Sequence, residues 1–209
     1  MIIDVSINLS SRSPIWPGVD PPLFTTTRYS FPGDHEALAT RVGLNVHSGT
    51  HIDAPLHFSK GASSIDQIDL DVLMGPCKVF EHAGQGHIGA SELETMGFSP
   101  VRRALFKTPN SERIHSGELG DDYITFLPDA IDMLISTGVD VLGIDAFSIG
   151  PFGDLSDSNH ITYCGAGGVI IEMIDLTSVE PGDYELVALP VKLKGLEAAP
   201  ARVLLVREE

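Results

Sequence analysis

Three histidines and an aspartate crowd into eleven residues, His47-Ser48-Gly49-Thr50-His51-Ile52-Asp53-Ala54-Pro55-Leu56-His57. Imidazole and carboxylate are ligands that zinc, manganese and iron accept. His47, His51, Asp53 and His57 all fall at odd positions. An extended segment would point them to one side while Ile52, Ala54 and Leu56 face a core. A helix would also bring His47 and His51 together, but it sends Asp53 to another face, and Gly49 and Pro55 both oppose it. The spacing therefore predicts a strand-like metal-binding segment, the plainer alternative being a polar surface strand. His47, His51 and Asp53 supply three ligands and leave a position open for water.

Two distant residues are out of place in their surroundings. Glu172 lies in the apolar run Gly167-Gly168-Val169-Ile170-Ile171-Glu172-Met173, where an unpaired carboxylate would be expensive. His160 follows Asp154, Asp157 and Asn159 in what reads as a polar loop. A second ion held by His160 and Glu172, with Asp53 bridging, would use each of them; pairing of Glu172 with a lysine or arginine is the alternative. His35, His82, His87 and His115 sit in turn-like or strand-end settings and read as ordinary surface or structural histidines. Asp145 ends an apolar strand and has two readings, a pocket group or a loop cap. Trp16, the only tryptophan, stands between prolines and is a candidate pocket wall.

The elements that must position these groups read as a strand-rich α/β domain spanning 1–209, with no repeat or linker to divide it. Strands are expected at Ile2 to Ile7, Thr25 to Tyr29, Thr40 to Val46, Cys77 to Phe80, Val101 to Lys107, Val139 to Asp145, Gly167 to Met173, Glu185 to Pro190 and Val203 to Val206. Phe31-Pro32-Gly33-Asp34 is a turn between two of them. Ser64 to Leu73 is a short helix or irregular stretch. Another short helix opens with Ser91 as N-cap and Glu94 three residues on. The clearest helix runs from Pro128 to Ile135, with Gly138 closing it.

The chain carries 13 Lys+Arg against 29 Asp+Glu, a formal charge of −16, which argues against nucleic-acid and anionic-membrane partners. No signal-peptide pattern and no membrane-spanning apolar run are evident. Cys77 and Cys164 read as buried thiols in a reducing compartment, so a cytoplasmic address is expected.

His47-x-Gly49-Thr50-His51-x-Asp53-x-Pro55-x-His57 resembles the HxGTHxDxPxH signature of the cyclase-type metal-dependent hydrolases, which include bacterial kynurenine formamidase and isatin hydrolase. The likeness extends to Trp16-Pro17-Gly18, Gly143-Ile144-Asp145, His160, Glu172 and Gly182-Asp183-Tyr184-Glu185. It implies one metal at His47, His51 and Asp53, a second at Asp53, His160 and Glu172, and His57 as the acid/base residue. It also implies a swivelling β/β/α fold and a homodimer or homotetramer. Kynurenine formamidases tend to have alanine at the place of Thr50, tyrosine at that of Phe58, and aspartate directly after Trp-Pro-Gly, where Val19 stands here.

The expected activity is hydrolysis of an amide C–N bond by metal-activated water, with one or two divalent ions per subunit, zinc as first choice and manganese or iron open. The first expectation is an arylformamidase, releasing kynurenine and formate in tryptophan catabolism, with Trp16 and Phe58 holding the aryl group. The alternatives are opening of a cyclic amide, imide or lactone, and a metal-binding module without catalysis.

Overall fold

In the computed structural model, which describes residues 1–207, the strands are β1 (Ile2–Asp4), β2 (Leu23–Phe31), β3 (His35–Gly43), β4 (His51–Asp53), β5 (Met74–Glu81), β6 (Arg103–Lys107), β7 (Val141–Ile144), β8 (Val169–Glu172), β9 (Gly182–Pro190) and β10 (Ala198–Val206). The α-helices are α1 (Leu70–Leu73), α2 (Ala90–Thr95), α3 (Asn110–Ser116), α4 (Pro128–Ser136) and α5 (Asp154–Gly165). The main sheet runs β1-β10-β4-β8-β7-β6-β5-β9, and β9 pairs with β10 as well as β5. That second pairing closes the sheet into a barrel, which leaves few open edges. The result is a mixed α/β domain with a β-barrel core and helices around it.

Strands β5, β6, β7 and β8 run parallel. Parallel neighbours need crossovers, and α2, then α3 with α4, then α5 supply them on the outside of the barrel. Alternation along the strands divides the apolar residues into two cores. Val79, Leu105, Val141, Val169 and Ile171 fill the barrel, together with Ile52 and Ala54. Phe80, Phe106, Leu142, Ile144 and Ile170 face the helices, where Ile131 and Leu134 of α4 and Tyr163 and Cys164 of α5 cover them.

The histidine segment departs from the expected strand. Only His51–Asp53 is extended, with His51 opposite Glu172 in register. His47 lies in a turn before it, closed by Ser48 N–H donating to the Asn45 carbonyl. That turn needs Gly49 at φ 67°, where a Cβ would stand 3.0 Å from Leu9. His57 ends a 3₁₀ turn that Pro55 begins. The shared odd numbering of His47 and His57 with the strand pair is therefore a coincidence of two bends, not one face.

His160 is likewise not on a loop, since it sits in the middle of α5. Helix α3 falls in a stretch for which no element was expected, and the N-cap of α2 is Gly89, with Glu92 accepting from the Gly89 N–H, two residues before the Ser91 and Glu94 pattern. The predicted turn at 31–34 is present, joining β2 and β3 into a hairpin separate from the barrel.

Candidate metal centre

Four side chains meet on the helix-facing side of the barrel, all nearly out of reach of solvent: His51, Asp53, Glu172 and His160. Register explains three of them. His51 and Asp53 share a face of β4, and Glu172 lies directly across from His51 on β8. Helix α5 brings His160 over that face. Its first turn packs so closely on the loop that follows β7 that a Cβ on Gly150 would stand 2.5 Å from the Leu155 carbonyl oxygen.

His51 Nε2 lies 3.4 Å from both Asp53 Oδ1 and Glu172 Oε2. His160 Nε2 lies 3.7 Å from Asp53 Oδ2 and 3.3 Å from Glu172 Oε1. His47 Nδ1 reaches Asp53 Oδ1 at 2.9 Å. Two ligand atoms about 2.0–2.1 Å from a tetrahedral ion stand about 3.3 Å apart, so these separations suit ligands around a common ion. One ligand atom each from His51, Asp53 and Glu172 lie within 4.8 Å of one another, as do atoms of His47, Asp53 and His57. The residues expected from sequence as ligands are thus brought together, with His57 beside His47 and Asp53.

Both rings facing the carboxylates are oriented from behind. His51 Nδ1 donates to the Gly49 carbonyl and His160 Nδ1 to the Ser156 carbonyl, each at 2.8 Å. A carbonyl only accepts, so Nδ1 carries the hydrogen and each neutral ring turns a lone pair on Nε2 toward the carboxylates. Outer hydrogen bonds of this kind fix the tautomer of metal-ligating histidines. His51 Nε2 and both Asp53 oxygens are buried without any hydrogen-bond partner. Such orphaned atoms are expensive, and a divalent cation fits them. Glu172 has no lysine or arginine partner among the described residues; beyond the histidines, Oε1 accepts from the Ile149 N–H at 2.9 Å.

The electrostatics carry the same demand. Burial opposes charging His51, yet Asp53 and Glu172 outweigh it and hold the ring up at about 9. His160 is raised to about 10 against burial by the facing Asp53 and Glu172 carboxylates. Burial pushes Asp53 upward, but His51, His160 and His47 bring it well below the usual carboxylate range. The two carboxylates thus call for positive charge at neutral pH, from protons on the rings or from a cation. His57 differs: burial lowers it from its ordinary value of 6.5, with His47 and His160 adding to the effect and Asp53 opposing it. Its shift is thus opposite in direction to those of His51 and His160.

The cluster opens into a cavity of about 230 Å³. Trp16 and Phe58, the two candidate substrate contacts, both line it, with Val19, Phe147 and Met173. The Phe58 ring lies 5.1 Å from that of His160, and Trp16 packs at 5.1 Å on Phe152. Phe147, Ser148 and Met173 escaped the sequence reading; the first two follow Asp145 at the end of β7, the place where pocket groups collect in α/β sheets. Asp145 itself does not line the cavity. It is a buried cap for the chain entering α3, accepting from the N–H and hydroxyl of both Thr108 and Ser111. Neither His35, His82, His87 nor His115 lines the cavity.

Residues 3–151 match the Cyclase family. The chain belongs to that family. It is 33% identical over 205 residues to a kynurenine formamidase of Salinibacter ruber, a match covering 98% of this chain and 96% of that protein. It is also similar to the structure of a predicted metal-dependent hydrolase from Bacillus stearothermophilus, with a TM-score of 0.84, 33% identity, and 98% and 97% of the two chains covered. Isatin hydrolase A from Labrenzia aggregata shares the fold, with a TM-score of 0.83 at 21% identity over 100% and 94% of the chains. Family membership and the His/Asp/Glu cluster together make the chain a metal-dependent hydrolase. No helix among the described residues is long and apolar enough to cross a membrane.

Proposed function

We propose that the chain hydrolyses the C–N bond of a small aromatic amide, with His47, His51, Asp53, His160 and Glu172 holding one or two divalent ions, zinc first, and His57 moving the proton. The observation that carries this reading is the orphaned trio of His51 Nε2 and the two Asp53 oxygens, buried beside an aromatic-lined cavity. A divalent cation held there supplies Lewis acidity, which acidifies water and polarises a carbonyl. His57 is unprotonated at neutral pH because burial holds it down, so it can accept a proton from water and return it to the leaving nitrogen. Trp16 and Phe58 flank an aryl group and exclude water from it.

Between the two substrate classes, the cavity favours opening of a neutral cyclic aromatic amide. No lysine or arginine among the described residues lines it, so a substrate carboxylate finds no ammonium or guanidinium to pair with there. Its volume also falls below the usual range of roughly 300–1,000 Å³ for ligand pockets. The second reading, cleavage of an aryl formamide, is favoured by the 33% identity to a kynurenine formamidase over nearly the whole chain. Side-by-side kcat/KM measurements on isatin and N-formylkynurenine, with the protein loaded with zinc and then manganese, test both. We expect isatin to be preferred. Preference for N-formylkynurenine selects the second reading, and hydrolysis of neither, nor of any amide in a broad panel, leaves a metal-binding module.

The same reading takes 1–209 as one swivelling β/β/α domain that works as a homo-oligomer in the cytoplasm. All eighteen residues of β2 and β3 are exposed, among them Leu23, Phe24, Tyr29, Phe31, Leu38 and Val42. A lone two-stranded ribbon is marginal in water. Arg28 and Arg41 balance Asp34 and Glu36 on this arm, so in a chain of charge −16 it is a surface on which a second copy meets little repulsion. Both cysteines are free, as a reducing compartment allows. Light scattering of Leu38→Glu/Phe31→Glu should show monomers where the parent shows dimers or larger; an unchanged mass removes the arm from the interface.

A further inference from the structure

Side chains alternate down β8 as in any strand: Val169 and Ile171 enter the barrel core, while Ile170 and Glu172 face the helices. Met173 should return to the barrel. Instead it joins the helix-side core and lines the cavity alongside Glu172, and Ile174 takes the barrel position. The inversion is made by a left-handed backbone at Met173, φ 57°. Among the described residues the other non-glycine of this kind is Asp34, which shares a tight hairpin turn with Gly33. Aspartate tolerates that conformation; a buried methionine does so only when its surroundings impose it.

Two hydrogen bonds impose it. The Met173 N–H donates to the Ala146 carbonyl at 3.0 Å, and the Met173 carbonyl accepts from the Thr50 hydroxyl. Thr50 Oγ1 in turn accepts from the Ile7 N–H at 2.9 Å, and the Thr50 carbonyl accepts from Ala201 N–H. One hydroxyl beside His51 thus fixes the residue beside Glu172.

We propose that Met173 is a specificity-determining residue: its left-handed backbone, pinned by the Thr50 hydroxyl, sets a thioether next to the Glu172 carboxylate as the wall against which a substrate's aromatic ring packs. This rests on the reading that the substrate amide enters this cavity. Sulfur packs well against aromatic rings and the unbranched side chain adapts to their edges. The device puts an apolar contact and a metal-facing carboxylate on consecutive residues, which a regular strand cannot do.

The test compares the parent with Met173→Gly, Thr50→Val and Thr50→Ser, each loaded with zinc and checked for bound metal. Glycine accepts the left-handed backbone and removes only the side chain. Trp16, the single tryptophan, lines the same cavity, so its fluorescence reports binding of an aromatic amide independently of turnover. With isatin as probe, Met173→Gly and Thr50→Val should weaken binding about tenfold and raise KM in step, with kcat little changed. The loss on a small aliphatic imide such as succinimide should be clearly smaller than that on isatin, and Thr50→Ser should resemble the parent. Metal-loaded Met173→Gly that binds isatin as the parent does overturns the proposal. So does an equal loss on isatin and succinimide, which would make Met173 a support for Glu172 alone. If Met173→Gly does not fold, the contrast of Thr50→Val with Thr50→Ser decides in the same way. Binding of isatin by the parent without hydrolysis would defeat the cyclic-amide reading and leave the contact testable by fluorescence.

Discussion

Asp53 and Asp145 are both aspartates buried to within a percent of complete exclusion, and they live under opposite regimes. Burial pushes each carboxyl upward. At Asp145 the donors of Thr108 and Ser111 oppose it without prevailing, and the group stands at about 7. At Asp53 no donor from the protein is committed to either oxygen, yet three imidazoles bring it well below the usual range. One carboxylate is finished by the fold; the other is left facing groups that themselves want a partner. Burial of an acid therefore says little about function. What separates a structural acid from a ligand is whether its lone pairs are already used.

The sharpest break in that comparison is removal of each acid. Asp53→Ala should reduce bound divalent metal, measured by elemental analysis of protein purified without chelator, by far more than Glu172→Ala does. Outer hydrogen bonds alone are worth roughly 10–100-fold in metal affinity, so a shared ligand should exceed about 100-fold. Metal content equal to that of the parent in Asp53→Ala would mean that its orphaned oxygens are not ligands.

Next in size is His57→Ala, expected to lower kcat by roughly 10²–10⁴ while metal stays bound. Its place within reach of His47 and Asp53 makes this a real choice between base and ligand, and loss of metal in parallel with activity would decide for ligand. A smaller, related effect is the pH profile. The base works unprotonated and its folded value lies below 6.5, so activity falls as pH drops through a midpoint under 6.5. A bound divalent cation repels the added proton and moves that midpoint further down. In His57→Ala this limb of kcat/KM should vanish.

How much of this was legible beforehand depended on where the signal lay. Ligand chemistry could be read from His47, His51 and Asp53 because residue type and local spacing are enough to suspect a metal. The geometry joining them could not, since it comes from a turn at Gly49 and a 3₁₀ turn at Pro55. Helix α5 read as a loop for a physical reason: Asp, Ser and Asn crowd its first half, and these residues prefer caps and turns. Tertiary bonds hold it instead, with Asn159 Nδ2 donating to the Phe126 and Ile149 carbonyls. Met173 gave no warning at all, because only glycine, asparagine or aspartate announces a left-handed position. Asp145 was visible as the end of a strand, while the four bonds that settle its role come from residues more than thirty positions earlier.

The finest test asks whether Asp145 is truly finished. Its folded value of about 7 lies above the ordinary 3.8, so between those values the native state keeps a proton that the unfolded chain releases. Stability from this group is therefore complete below about pH 4, declines as pH rises, and is gone above about 7. Asparagine is the neutral isostere: its carbonyl can accept from the Thr108 and Ser111 N–H groups, and its amide can donate to Thr108 Oγ1. Urea unfolding of Asp145→Asn should lie within about 1 kcal/mol of the parent near pH 5. The parent should then lose on the order of 1–3 kcal/mol relative to the variant by pH 8. Subtracting the two curves cancels the other titrating groups, which both proteins share. Activity of the variant should stay within about twofold, since Asp145 touches nothing in the cavity. A flat difference curve would mean that the four donors keep Asp145 ionised, and a collapse of turnover without loss of stability would bring it back among the groups that do chemistry.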